Sequence, residues 1–263
     1  MSMEWFNNWA KSRNLEIING VWRSLSFQPS SFVEIYLDVR AKEQRIYSDK
    51  QLKNLPSIES SHPLKAEWKI REKSMNNFIK WLRQFHNQQQ ILEIGCGNGW
   101  LSSNIANKTS SKVISQDINL LELEQAARTH DVTKSKWLCL ELDKCEFPIN
   151  SFDQIIFASS VQYFKDPEII LRKLIPTLNK NGCIHIIDSP LYENSNAANL
   201  ARIRTQSYYE SLGNSSLAKN YHHHLLANFI SLGFEIKHQP CKRFIAKLIC
   251  KQMPFYWMEL RKN

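Results

Sequence analysis

The sequence has no apolar run of the roughly 18 residues that a membrane-spanning helix needs. Its start, MSMEWFNNWAKSRNLE, has no basic head followed by an apolar stretch, which is the pattern of a secretory signal peptide. No internal repeat and no block of five or more like charges is present. These absences lead us to expect a cytoplasmic protein with no membrane partner.

Metal-binding patterns are also missing. The six cysteines form no C-x-x-C pair, and Cys139 and Cys145 lack histidines at zinc-site spacing. No cluster of carboxylates indicates a catalytic Mg²⁺. We interpret the cysteines as reduced, mostly buried side chains and expect no bound metal.

What the chain does contain is a substantial apolar fraction, 43% with eight tryptophans, which favours a real core. The net charge of +9 belongs to the flanks: residues 1–90 carry 14 Lys/Arg and 9 Asp/Glu, residues 91–190 carry 10 and 12, and residues 191–263 carry 10 and 4. Such an excess attracts anionic partners through its long-range field. A soluble surface with scattered lysines is the interpretation that we favour.

Hydrophobic periodicity predicts an α/β fold. Apolar residues at three- and four-residue steps predict a helix over 66–85, and from residue 91 short apolar strands alternate with helical segments. This alternation indicates a parallel sheet with helices on both faces. The tail predicts two strands too close in sequence for a parallel crossover, which makes them antiparallel. Strands are predicted at 91–94, 113–116, 137–140, 155–158, 183–187, 234–239 and 244–250, and helices at 101–106, 120–128, 168–178, 197–212 and 221–232.

The chemistry starts at ILEIGCGNGWLSSNIA, residues 91–106. A strand runs into Gly95, Gly97 and Gly99 and a helix follows at once, so the backbone turns tightly and approaches a ligand without a Cβ in the way. The third glycine falls at 99, where a dinucleotide fingerprint needs one at 100, and Glu93 precedes Gly95 by two residues; both points argue against NAD. Asp117 ends the second strand, where a carboxylate accepts hydrogen bonds from ribose hydroxyls.

E-x-G-x-G-x-G followed by Asp117 resembles the opening motifs of class I S-adenosylmethionine-dependent methyltransferases. Later signals follow in that family's order across roughly residues 66–190: Glu141-Leu142, Phe147-Pro148, Ser151-Phe152-Asp153, 159–163 and Leu178-x3-Gly182. The resemblance implies a Rossmann-like, seven-stranded, mostly parallel sheet whose last strand is antiparallel. It also implies S-adenosylmethionine as cofactor and S-adenosylhomocysteine as product.

Narrower features resemble a bacterial small-molecule-type subgroup of that family: residues 68–71, 99–102 and 188–192. The chain departs from the subgroup at Gln162, where a histidine is common. This departure puts any chemistry shared through that histidine in doubt.

Residue by residue, the resemblance implies a cofactor site. Gly95, Cys96, Gly97 and Gly99 would contact the methionine part and ribose, Asp117 the ribose, and the Ser159 carbonyl the amino group. Arg71 is the candidate for the methionine carboxylate, and Trp100 for an aromatic wall near the sulfonium. The complete predicted cofactor set is Arg71, Glu93, Gly95, Cys96, Gly97, Gly99, Trp100, Asp117, Ile118, Glu141, Leu142 and Ser159.

Catalytic residues are harder to select. Tyr163 is a candidate for an aromatic face at the reacting methyl, and His223, in the run His222–His224, for a general base. On the predicted helix, the three histidines point in three different directions and form no i, i+4 metal pair.

The sequence predicts a methyltransferase that acts on a small-molecule acceptor. The basic flanks of the chain are compatible with an anionic acceptor. Residues 66–263 are the expected methyltransferase domain, with 190–232 as a helical cover over the substrate cleft. Residues 1–65 are an N-terminal extension, expected as a lid. Alternatives are a methyltransferase acting on RNA or another anionic macromolecule, and a non-catalytic S-adenosylmethionine-binding protein. An NAD-dependent oxidoreductase ranks behind them.

Overall fold

Nine strands lie side by side in one sheet in the computed structural model, which describes residues 3–144, 146–240 and 253–262. Their spatial order is β1-β2-β5-β4-β3-β6-β7-β9-β8. The strands are β1 Glu16–Ile18, β2 Val21–Arg23, β3 Gln90–Ile94, β4 Lys112–Asp117, β5 Ser135–Cys139, β6 Phe152–Ala158, β7 Leu178–Ile187, β8 Glu235–His238 and β9 Trp257–Arg261.

Strands β2 to β7 run parallel to one another, whereas β1 is antiparallel to β2, and β9 is antiparallel to both β7 and β8. The predicted mostly parallel sheet with an antiparallel last strand is therefore confirmed. The predicted number of seven strands is wrong for the described residues, because an N-terminal hairpin, β1–β2, extends the sheet beside β5. Its strands have only three residues each, too few to show an alternating pattern in the sequence.

The helices flank this sheet, and the described part of the chain also contains four short 3-10 turns. The α-helices are α1 Glu4–Ser12, α2 Ser31–Lys42, α3 Asp49–Asn54, α4 Lys65–Leu82, α5 Trp100–Lys108, α6 Leu120–Thr129, α7 Pro167–Leu174, α8 Ser195–Ser211 and α9 Leu226–Ser231. The 3-10 turns are Leu142–Lys144, Val161–Tyr163, Ile175–Thr177 and Ser215–Asn220. No helix of the described residues combines the length and the apolar character that crossing a membrane requires.

Successive strand residues enter different clusters of the core. Ile91 packs in a cluster with α4 and α5, whereas Leu92 packs in another with α1, α7 and α9. Ile156 and Ile155 repeat this division on the neighbouring strand. Because strand side chains alternate between faces, both faces of the sheet are covered, as the continuous apolar strands predict.

Two predictions for the tail need correction or lie outside the description. The predicted helix over 221–232 is wrong at its start: residues 221–225 are non-helical, and α9 begins only at Leu226. A bridge between Tyr192 and Leu225 and the bond from His222 N–H to the Gln162 carbonyl hold the segment. The predicted strand over 244–250 lies outside the described residues.

Candidate functional site

The turn after β3 is left-handed at its three glycines, with φ of 70° at Gly95, 53° at Gly97 and 72° at Gly99. A Cβ on Gly99 would lie 2.3 Å from the Trp137 ring, so this glycine is required by packing beneath the turn. A Cβ on Gly97 would meet the Glu122 carboxylate at 3.3 Å. Because Gly97 has no side chain, the backbone of the turn is uncovered where it lines the two cavities.

Asp117 connects this turn to the neighbouring strand. Its carboxylate accepts the backbone N–H of Gly97 at 2.7 Å and that of Asn119 at 2.8 Å. Burial raises the pKa of Asp117, and the backbone N–H groups oppose that rise. The carboxylate is held rigidly at the carboxyl end of β4, beside the glycine turn.

Glu93 lies beneath the turn and is 2% exposed. Its carboxylate accepts hydrogen bonds from the Ser102 hydroxyl and from the Ser102 backbone N–H in the first turn of α5. Gly99, the N-cap residue, has no side chain to do this. Burial raises the pKa of Glu93 to about 7 despite these bonds, so the acid that precedes the glycines anchors the helix N-terminus.

Two cavities open at the carboxyl edge of the sheet, with volumes of about 580 and 410 Å³. The larger, which we call the first cavity, extends from Cys96 and Trp100 toward α2, α4 and α8. The second cavity extends past Asp117 and Ile118 toward Leu142. The described residues that line both are Tyr36, Gly95, Gly97, Ser159 and Tyr163.

The structure brings together nearly all of the predicted cofactor residues. Gly99 is the exception, because it packs on Trp137 and lines neither cavity. The first cavity is lined by Arg71, Glu93, Gly95, Cys96, Gly97, Trp100 and Ser159. The second is lined by Gly95, Gly97, Asp117, Ile118, Glu141, Leu142 and Ser159.

The two catalytic candidates lie in different places. Tyr163 stands at the junction of the cavities, with its ring against Tyr36 and Tyr221 at centroid distances of 5.9 and 5.8 Å. His223 lines neither cavity; its Nε2 bonds to the Thr205 hydroxyl at 2.9 Å, and Thr205 lines the first. His223 therefore lies outside the first cavity, behind Thr205 in its wall.

Gln162 occupies the position at which the subgroup commonly has a histidine, and it is 3% exposed. Its Nε2 donates to the Ser159 carbonyl at 2.7 Å, while its Oε1 has no hydrogen-bond partner. Ser159 itself has a left-handed φ of 55°. Both residues line the first cavity, and the unpaired Oε1 of Gln162 is buried within its wall.

The sequence predicts a lid in residues 1–65 but identifies none of the residues that this segment contributes to the first cavity. Helix α2 and the segment after it supply Tyr36, Arg40, Glu43, Arg45 and Tyr47 to its wall. No motif marks these residues, because they reach the site only through the packing of α2 on the 3-10 turn Ser215–Asn220. The sole signal was the aromatic and basic composition of the segment.

An ion-pair network connects this segment to α4. Arg45 contacts Glu43 at 2.9 Å and Glu67 at 2.5 Å, and Arg71 Nε contacts Glu67 at 2.9 Å. Burial works against the charge of Glu67, but Arg45 and Arg71 prevail and lower its pKa to about 2. Asp188, close to Arg71 and bonded to Ser74, has its pKa raised by burial to about 6.

Comparison with known proteins identifies the domain. Residues 91–182 match the family model of a methyltransferase domain. A malonyl-[acyl-carrier protein] O-methyltransferase of Anoxybacillus flavithermus is 27% identical over 135 residues, 51% of this chain and 51% of that protein. The chain spans about half the length, or less, of the curated relatives that it matches.

Solved structures agree on the fold. The S-adenosylmethionine dependent methyltransferase from Mesorhizobium loti is 19% identical with a TM-score of 0.50, over 71% of this chain and 99% of that one. Phosphoethanolamine N-methyltransferase 2 of Haemonchus contortus, in complex with phosphomonomethylethanolamine and S-adenosylhomocysteine, is 16% identical with a TM-score of 0.56, over 80% of this chain and 47% of that one. The predicted class I S-adenosylmethionine-dependent methyltransferase domain is confirmed, and S-adenosylmethionine is the cofactor that such a domain implies.

Proposed function

We propose that this class I methyltransferase domain transfers a methyl group from S-adenosylmethionine, bound across the junction of the two cavities, to a small-molecule acceptor in the first cavity. The observation that carries the proposal is the shared wall at Gly95, Gly97, Ser159 and Tyr163. A donor in the second cavity and an acceptor in the first would meet there. A cytoplasmic location accompanies the proposal as a prediction.

The residues present fit the adenosyl part of the donor. Asp117 retains free lone pairs beside its bonds to backbone N–H groups and lines the second cavity, where these lone pairs suit ribose hydroxyls. Ile118 and Leu142 supply apolar walls for an adenine ring, with Glu141 next to them. The bare surface at Gly97 lets the backbone approach the ligand closely.

The residues around the glycine turn also fit the methionine part. The Ser159 carbonyl, which lines the cavities and is bonded by Gln162 Nε2, retains an acceptor lone pair for an ammonium group. Arg71 lines the first cavity and has guanidinium N–H groups beyond the one bonded to Glu67, which suits a carboxylate. Gln162 thus supports the Ser159 carbonyl at the position where the subgroup commonly has a histidine.

The bound donor supplies an activated methyl on a sulfonium. The protein's part is then positioning and the exclusion of water, which accounts for a large share of the acceleration in such reactions. Tyr36 and Tyr163 line both cavities and present aromatic faces suited to a cation. The wall residues of the first cavity in the described chain include no histidine, so acid–base work is not assigned to His223.

A two-part lid closes the first cavity in this proposal, in agreement with the expectation for 1–65 and 190–232. Helix α2 and the segment from α8 to the 3-10 turn share an apolar cluster around Val39, Tyr209 and Leu217. Polar contacts reinforce it: Tyr208 donates to Glu43 at 2.6 Å and Asn214 to Asp38 at 2.7 Å. Such a cover favours a small acceptor over RNA.

The decisive test is transfer of a labelled methyl group. A cell extract incubated with the protein and a deuterated-methyl donor should yield a labelled small molecule by mass spectrometry, and Asp117→Ala protein should yield none. Label in RNA or protein would favour the macromolecular alternative. S-adenosylhomocysteine binding by calorimetry without any labelled product would favour the non-catalytic alternative.

A further inference from the structure

Most charges in the wall of the first cavity neutralise each other. Arg45 and Arg71 are paired with Glu43 and Glu67 in the network described above. Glu93 is bonded to Ser102 beneath the turn. Arg40, whose side chain is 20% exposed, and the exposed Arg204 are the two other cations among the described residues of this wall.

Arg40 has a nearby acid, but not all of its hydrogen-bond donors have an acceptor. Its closest charged partner among the described residues is Glu122, at 3.9 Å, which is beyond hydrogen-bond distance. Its Nε is buried and has no hydrogen-bond partner. A guanidinium has five donors, and leaving even one of them buried without an acceptor is costly, so a side chain of this kind in a cavity wall points to an absent acceptor group.

The acids near Arg40 are not its hydrogen-bonding partners. Asp117 is occupied by the N–H groups of Gly97 and Asn119, and Glu122 accepts the side-chain amide of Asn119 at 2.9 Å. Both belong to the wall of the second cavity, whereas Arg40 lines the first. A planar anion in the first cavity would match the guanidinium fork.

Aromatic rings surround this cation. Arg40 lies over the Tyr36 ring at 5.6 Å, and Tyr36 packs edge-on against Tyr163. Trp68 and Trp100, in edge contact at 5.1 Å, form another part of the same wall. Flat apolar rings gain contact and edge-to-face energy in such a site.

We infer that the acceptor of the proposed methyl transfer is an aromatic carboxylic acid whose carboxylate is bound by Arg40 in the part of the first cavity that Tyr36 and Tyr163 line. That the acid is methylated rests on the proposed function. That the first cavity binds an aromatic carboxylate does not. Arg71 remains the residue for the donor's carboxylate. The two arginines therefore have separate partners, which an experiment can distinguish.

The probe is benzoate, titrated by calorimetry into the protein saturated with S-adenosylhomocysteine. Benzoate should bind, while neutral benzamide and ring-free acetate should each bind at least roughly tenfold more weakly, since a charge-assisted bond and a ring contact are lost in turn. Benzamide binding as tightly as benzoate would overturn the role of charge, and acetate binding as tightly would overturn that of the ring. These comparisons need no variant.

Arg40→Met should weaken benzoate binding at least roughly tenfold and leave the affinity for S-adenosylhomocysteine within about twofold. Arg202→Met, at an exposed position outside the cavity wall, is the control. A loss of S-adenosylhomocysteine affinity in Arg40→Met would assign Arg40 to the donor and overturn the inference. If wild-type protein bound no S-adenosylhomocysteine, the proposed function would fail, and benzoate titrated into the ligand-free protein would still decide the role of Arg40.

Discussion

The carboxylate of Asp117 at the end of β4 accepts the backbone N–H of Gly97 in the turn after β3, at 2.7 Å. This bond crosses between adjacent parallel strands, whose carboxyl ends meet at one edge. It orders the glycine turn and places the carboxylate beside it. The acid thus serves the conformation of the turn as well as the ribose binding that we propose.

Replacing Asp117 by Asn tests both roles. An amide cannot accept from Gly97 and Asn119 simultaneously with the strength of a carboxylate, so we expect S-adenosylhomocysteine affinity to fall at least roughly tenfold by calorimetry. Asp131→Asn is a matched control, because Asp131 also accepts a backbone N–H, that of Thr133, but is exposed and far from both cavities. Unchanged affinity in Asp117→Asn, or tight binding of NADH by the wild type, would contradict the site.

Gly97→Ala and Gly213→Ala form a second pair. Both positions have a left-handed φ, 53° and 73°, so both alanines should cost about 1–2 kcal/mol of folding free energy in urea unfolding. A Cβ at Gly213 meets nothing within 4 Å, whereas at Gly97 it approaches Glu122 at 3.3 Å and fills the surface of the turn. Only Gly97→Ala should weaken S-adenosylhomocysteine binding; equal binding by the two variants would show that the turn does not need a bare backbone.

Glu93 predicts a pH dependence of stability. Its pKa is about 7 in the fold against 4.5 ordinarily, so the folded state holds the proton more tightly and stability falls as pH rises from 4.5 to 7. Above pH 7 the buried charge costs about 3 kcal/mol, at about 1.4 kcal/mol per pKa unit. Glu93→Gln should therefore lose less stability than wild type between pH 5 and pH 8 in urea unfolding. Glu59→Gln, at an exposed position, should follow wild type, and a Glu93→Gln curve parallel to both would refute the assignment.

The N-terminal hairpin should be an integral part of the fold. Trp22 is 4% exposed and packs edge-on against Phe6 at 5.8 Å in the core. Trp22→Ala should cost about 3–5 kcal/mol of unfolding free energy. Leu25→Ala, at a position that is 67% exposed, should change it by less than about 0.5 kcal/mol. A small effect at Trp22 would mean that the hairpin is dispensable for folding.

Local patterns were sufficient for the central sheet and its glycine turn. The strands from β3 to β7 were predicted because each is a short apolar run, and the turn because three glycines follow a strand directly. The short hairpin β1–β2 and the non-helical histidine segment were not predicted. Both are held by partners far away in the chain, β5 for the hairpin and Tyr192 with Gln162 for the histidines.

The order of residues along the chain was enough to specify the fold class and the glycine turn with its acid, which we propose for the donor, because strand, turn, helix and acid are neighbours in sequence and their conformations follow from local sterics and periodicity. The side of the site that we propose for the acceptor arose only on folding. There, α2 meets α8, Arg40 lines the same cavity as the glycine turn, and His223 lies behind Thr205. Which side chains share this cavity depends on packing between segments as distant as α2 and α8, more than a hundred residues apart in the chain, and a local sequence pattern carries no information about such packing.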